Sequence, residues 1–306
     1  MKINLNCPNS IHLEVMTQPW EYGLDGSQVA EALRLADDLG FYKVMLGEHF
    51  VVPRAHVPLS GDHYFHATVA LAFAAGQTRR LKLASAVSIL PLQNPIVQAK
   101  AWATLDWLSG GRACAVFGVG WIREEYEMLG VPFAERGRLC DEYVAAMIEL
   151  WTSEAPRFAG RYLSFADVGF SPRPVQQPLP IWFGGDAEAV LRRVGRFGHG
   201  WSPFQTAPEK FAECLELIRD QPEYDGRAIE MFYALEMLNI GSAHQRRADD
   251  PRGRSGWDAG LIIEQCQWLA ELGVTETILP LPPLTDFEAY LDRLRWIGEE
   301  VIPAVG

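Results

Sequence analysis

Strand-like and helix-like segments alternate along the whole 306-residue chain, and this alternation restricts the fold more than any other feature. Strand patterns fall at Ile3–Cys7, Tyr42–Leu46, Leu81–Val87, Arg112–Val119, Pro180–Phe183, Gly200–Phe204, Ile229–Ile240 and Thr275–Leu281. A helical pattern follows each of them. Ser27 is read as the cap of the first helix, which stops at Gly40. Asn94 caps a later helix with Pro95 at its first position. Eight strand–helix units without an internal repeat predict an α/β fold, a (β/α)₈ TIM barrel, as a single domain over 1–306. The rival is an open doubly wound sheet. It needs a Gly-x-Gly-x-x-Gly turn after the first strand, where Cys7-Pro8-Asn9-Ser10 stands instead. Two stretches depart from the repeat. Residues 157–180 read as an insertion with a small hairpin, and residues 241–256, polar and Arg-rich, read as a mobile loop.

Lys and Arg number 27 against 39 Asp and Glu, a net charge of −12, so nucleic acid is a poor partner. No apolar run is long enough to span a bilayer, and the start of the chain does not resemble a secretion signal. The five cysteines are odd in number, far apart and without a Cys-x-x-Cys pair, which predicts free thiols and a cytoplasmic location.

In a barrel, chemistry sits at the C-terminal ends of the strands. Glu48 and His49 end the second strand, and His49 suits proton transfer near neutral pH. The plainer reading is that His49 hydrogen-bonds the following loop. Ser85, Ala86 and Val87 end the third strand with small residues that either underlie a flat ring or form a close-packed layer. Gly118, Gly120 and Trp121 end the fourth, where Trp121 either stacks on a ligand or packs. Gly184, Gly185 and Asp186 precede a helix. They either present N–H groups to a phosphate or make a tight turn with Asp186 as cap. Ser202 ends the sixth strand. Arg123, Glu124 and Glu125 read as a solvated face. His63 and His66 are spaced as two metal ligands without a third, so no metal is expected. There is no Gly-x-Ser-x-Gly elbow and no P-loop, and Lys43, Lys82 and Lys100 are not at the C-terminal ends of strands.

Leu90-Pro91-Leu92-Gln93-Asn94-Pro95, Ala103-Thr104-Leu105-Asp106-Trp107-Leu108-Ser109-Gly110-Gly111-Arg112 and Gly118-Val119-Gly120-Trp121 resemble the bacterial luciferase-like oxidoreductases. Gly130-Val131-Pro132-Phe133, Pro180-Ile181-Trp182-Phe183-Gly184-Gly185 and Gly198-His199-Gly200-Trp201 extend the likeness over nearly the whole chain. The similarity is strongest to the branch that uses the deazaflavin coenzyme F420. It implies a barrel holding a deazaflavin or flavin in its mouth, and a homodimer. It implies a non-prolyl cis peptide at Ala86–Val87 or one bond earlier. It also implies phosphate binding by the backbone of Gly184 and Gly185. The reaction implied is hydride transfer between F420 and a small organic substrate. Alternatives are an FMN monooxygenase served by a separate reductase and a flavin-binding protein without turnover. The family's sugar-phosphate dehydrogenases carry a glutamate just after strand four; here Gly120-Trp121-Ile122 stands there, so sugar-phosphate oxidation is not expected.

Overall fold

The computed structural model of the protein describes residues 1–240, 251–253 and 256–306. Eight parallel strands form the barrel: β1 (Lys2–Asn6), β2 (Lys43–Leu46), β3 (Lys82–Ser85), β4 (Ala113–Gly118), β5 (Ile181–Gly184), β6 (Gly200–Ser202), β7 (Glu230–Met231) and β8 (Glu276–Ile278). They pair in the order β7-β6-β5-β4-β3-β2-β1-β8. A parallel bridge from Phe232 to Glu276 joins the two ends, with Thr275 N–H donating to the Met231 carbonyl at 2.9 Å. Closure leaves no free sheet edge.

Helices α1 (Gly26–Leu39), α2 (Ala67–Gln77), α3 (Pro95–Ser109), α4 (Arg136–Thr152), α5 (Glu188–Phe197), α6 (Phe211–Arg219), α7 (Ala259–Glu271) and α8 (Phe287–Trp296) surround it. The Asn94 cap and Pro95 start are as expected, with the Asn94 side chain accepting Ile96 N–H. Helix α1 is capped by Asp25 rather than Ser27. The Asp25 carboxylate takes the N–H groups of Ser27 and Gln28, and Gln28 returns a bond to Asp25 N–H. Gly40 closes α1 at φ 86°, a left-handed conformation that glycine adopts without penalty.

The expected strand over Ile229–Ile240 is a correction. Only Glu230–Met231 is strand, and Leu235–Asn239 is a 3₁₀ turn. A mostly apolar stretch does not by itself distinguish strand from helix, and Ala, Leu, Glu and Met favour helical turns. The insertion does contain a hairpin, Phe158–Ala159 against Ser164–Phe165. It is tied to α4 by Glu142, which accepts the N–H groups of Arg161, Tyr162 and Leu163. Of the loop expected at 241–256, residues 241–250 and 254–255 lie outside the described residues, and Pro251–Gly253 form a 3₁₀ turn.

Polar groups fill the barrel floor. Lys43 Nζ lies 2.6 Å from Glu276 and 3.9 Å above the Trp182 ring, and Asn4 donates to the same carboxylate oxygen of Glu276 at 2.9 Å. All three polar side chains are buried. Gly200 is required beside them, because any Cβ there would collide with the Trp182 ring. No helix among the described residues is long and apolar enough to cross a membrane.

Candidate active site

His49 is the best-organised polar group at the rim. Its Nδ1 lies 2.7 Å from Glu125 Oε2, while Glu125 Oε1 accepts Phe50 N–H at 2.7 Å and Val51 N–H at 3.3 Å. A carboxylate only accepts, so this partner places a proton on Nδ1; in the neutral ring Nε2 then carries the lone pair. The His49 ring packs edge-on against Tyr64 at 4.9 Å and faces Trp121 at 6.4 Å. Burial, and then the Glu125 charge, pushes the Tyr64 phenol above its ordinary value, so it remains a neutral donor to the Ser60 carbonyl. Trp121 is 44% exposed and meets His56 on its other side at 5.2 Å, so it is no core residue.

Glu125 corrects the sequence reading, which left it on a solvated face. It is 1% exposed. Ile122, Glu125 and Tyr126 form the inward stripe of the short helix Arg123–Met128, while Glu124 turns outward to His56. The spacing from buried Ile122 was the available signal.

Glu48 faces away from the mouth. Its Oε1 accepts Ala67 N–H at the start of α2; its Oε2 accepts Ser88 Oγ at 2.6 Å, Ile89 N–H and Gln93 Nε2. The acid ties the end of β2 to the chain just beyond β3. There the sheet breaks and resumes: Ala86–Val87 is a cis peptide, and Ser88–Ile89 then pairs with Phe117–Gly118. Ser85 is fully buried and belongs to the wall. Its hydroxyl donates to the Val116 carbonyl at 2.7 Å and accepts Val116 N–H at 3.1 Å, so its one O–H donor is spent inside the wall; Ser85 takes the close-packed alternative rather than the cofactor-binding one.

Val87 explains two of the glycines. A Cβ at Gly118 would lie 2.5 Å from Val87 Cγ2, and one at Gly184 would press still closer on Cγ1. These residues are small so that one valine can lie across the ends of β4 and β5. Gly120, at φ 61°, turns the chain after β4.

The phosphate expectation changes in detail. Gly185, at φ 125°, donates its N–H to the Ser202 carbonyl at 3.0 Å, so that group is already engaged. Asp186 does not cap α5, whose N-cap is Ala187. Its Oδ1 instead gathers the N–H groups of Phe204, Gln205 and Thr206 and the Thr206 hydroxyl, shaping the loop after β6. The donors left for an anion are the N–H groups of Glu188 and Ala189 at the start of α5, since those of Val190 and Leu191 go to the Ala187 carbonyl.

A cavity of about 480 Å³ lies across the barrel from β5, lined by β1, the end of β8 and the 3₁₀ turn after β7. Glu236, Glu21 and Glu14 line it. Burial, and then the Glu21 charge, raises the Glu236 carboxyl to about 7. His63 does not approach His66 as a ligand pair: it stacks on His12 at 4.0 Å and bonds the Asn9 carbonyl. Among the described residues no three His, Cys, Asp or Glu side chains converge as a metal requires.

A model of the luciferase-like monooxygenase family matches residues 1–241. An uncharacterised protein of Mycobacterium tuberculosis is 31% identical over 287 residues, covering 88% of this chain and 93% of its own. Among solved structures, the monooxygenase RslO1 from Streptomyces bottropensis superposes with a TM-score of 0.78 at 23% identity, covering 100% of both chains. The coenzyme F420-dependent tetrahydromethanopterin reductase from Methanopyrus kandleri does so with a TM-score of 0.74 at 17% identity, covering 100% of this chain and 99% of its own. The two structural likenesses carry the barrel, and the family match carries descent. On the family match and the 31% identity, the chain belongs to the luciferase-like monooxygenase family.

Proposed function

We propose that the barrel mouth holds coenzyme F420 and that the protein moves a hydride between it and a small organic substrate. The observation that carries this reading is the pairing of a bare, backbone-walled cradle with one oriented imidazole. Val87 lies against Gly118 and Gly184, and His49 stands at the end of β2 with Nε2 free of any partner among the described residues. Such a floor fits a flat ring system, and the first turn of α5 fits its phosphate. When bound, the coenzyme supplies the hydride chemistry. The residues of the chain do the rest. Val87 and Ala86 support one ring face. Glu125 fixes the His49 tautomer, and Nε2 takes up or returns the substrate proton. Glu48 acts as a positioning residue, holding the β2 end against the β3 break. Trp121, half-exposed beside His49, shields the reacting centre from water.

A second reading, an FMN monooxygenase, is favoured by the match to the luciferase-like monooxygenase family and by the likeness to the monooxygenase RslO1. Titration with F420 and with FMN, followed by absorbance, separates the two. Tight F420 binding and slow oxygen consumption support the first reading; FMN binding with rapid oxygen consumption supports the second. Association with neither coenzyme overturns both.

A further inference from the structure

We propose that the cavity between the ends of β7, β8 and β1 is the substrate pocket of the barrel, and that its Glu236 carboxylate selects an organic cation, an amine. The inference rests on the functional reading above and adds the chemical class of the substrate.

The cavity, at about 480 Å³, is in the range that holds a small ring compound. Most of its walls are apolar, from Leu13, Val15, Met16, Ile278 and Leu279 among others. Three carboxyl groups line it, and among the described residues no Lys, Arg or His does. A carboxylate or phosphate substrate would meet only like charge there.

Glu236 gives the second reason. Its side chain makes no hydrogen bond or ion pair with another described residue. Glu21 does have a partner, accepting Gln18 N–H at 2.8 Å. A carboxyl group in apolar surroundings without a donor is costly, and a ligand ammonium group supplies both the donor and the opposite charge. The other titratable neighbours carry no charge that competes. Burial pushes the Cys7 thiol up to about 12, and burial followed by Glu21 raises the Tyr290 phenol further. Glu14 and Glu21 add negative charge.

One wall residue connects the cavity to the His49 side of the mouth. Ile11 lines it, and Ile11 forms a β-bridge with Tyr64, whose ring packs on His49 at 4.9 Å. One bridge therefore links the pocket wall to the proton-transfer residue.

Benzylamine, benzyl alcohol and benzoate test this, since they differ at one small group. Calorimetric titration of the full chain, with and without FMN or F420, reads their affinities. Benzylamine is expected to bind at least about tenfold more tightly than benzoate. Its affinity rises as the pH passes about 7, where Glu236 ionises, and Glu236→Gln abolishes both the preference and the rise. Benzoate binding as well as benzylamine, a flat pH profile, or no association at millimolar concentration overturns the proposal. The wild-type pH profile decides the matter even if the variant does not fold. Amine selectivity without coenzyme binding would sink the functional reading alone; coenzyme binding without amine selectivity would sink this one alone.

Discussion

Placing a methyl group at position 118 tests the cradle directly. In Gly118→Ala the new Cβ would lie 2.5 Å from Val87 Cγ2 and 3.3 Å from Val87 Cβ. Ordinary carbon contacts sit at about 3.5–4.0 Å, so something must move by about 1 Å. Overpacking of this kind costs about 1–3 kcal/mol, and a shortfall this large points to the upper end. Val87→Ala removes the colliding methyls. Val87 is only partly buried, so its truncation alone costs about 1 kcal/mol. Gly118 has no positive φ, so alanine is compatible with its backbone. The double variant should then be little worse than Val87→Ala, a coupling of about 2 kcal/mol towards rescue. Urea and thermal unfolding of the four coenzyme-free proteins measure the cycle. Additivity within about 0.5 kcal/mol would falsify the claim that Val87 is the reason for Gly118. Titration of the same four proteins with FMN then shows whether the valine wedge supports a ring.

Four further outcomes follow from the site. Glu125→Ala leaves His49 Nδ1 and the N–H groups of Phe50 and Val51 without their acceptor, and should cost about 3 kcal/mol in stability with a fall in turnover. An unchanged melting temperature would remove Glu125 from its anchoring role. His49→Ala should lower kcat while coenzyme affinity stays within a few-fold; unaltered kcat ends its part in proton transfer. Glu236 has an ordinary value of 4.5 and a folded value of about 7. Its penalty on the folded state is therefore absent below about 4.5, grows as pH rises, and is complete above about 7, with a ceiling of about 3 kcal/mol. Melting curves should show Glu236→Gln more stable than wild type at alkaline pH and equal to it at acid pH; equal melting temperatures at alkaline pH would contradict this sign. If the protein dimerises as the resemblance implies, the exposed Val69 and Phe73 of α2 and Val97 and Leu108 of α3 are the face to bury. Sedimentation of Val97→Glu should then give half the wild-type mass, and an unaltered mass refutes that face.

The barrel was legible because its signals are local. Asn94-Pro95, Gly40 and the alternation of patterns need only a few neighbouring residues. The break at Ala86–Val87 was placed by resemblance, which no periodicity provides. What escaped the sequence reading depends on partners far along the chain. Glu125 meets His49 across 76 residues, from a helix too short to show strong periodicity. Asp186 sits where a helix cap belongs, yet its acceptor oxygen is claimed by a loop 18 to 20 residues on. Ser85 reads as a small rim residue and serves as a stitch between two strands. Local composition cannot tell these uses apart, because the same residue type satisfies each of them.

The Lys43–Glu276 pair with Asn4 and Trp182 has a kinetic consequence. These buried side chains fill the axis from below, which makes the mouth the entrance among the described residues. On the proposed function, a bulky coenzyme and its reaction partner would share that entrance. The larger molecule therefore has to be seated before the smaller one arrives, and the smaller one has to depart first. Steady-state kinetics of the proposed reaction should follow an ordered sequence rather than a random one.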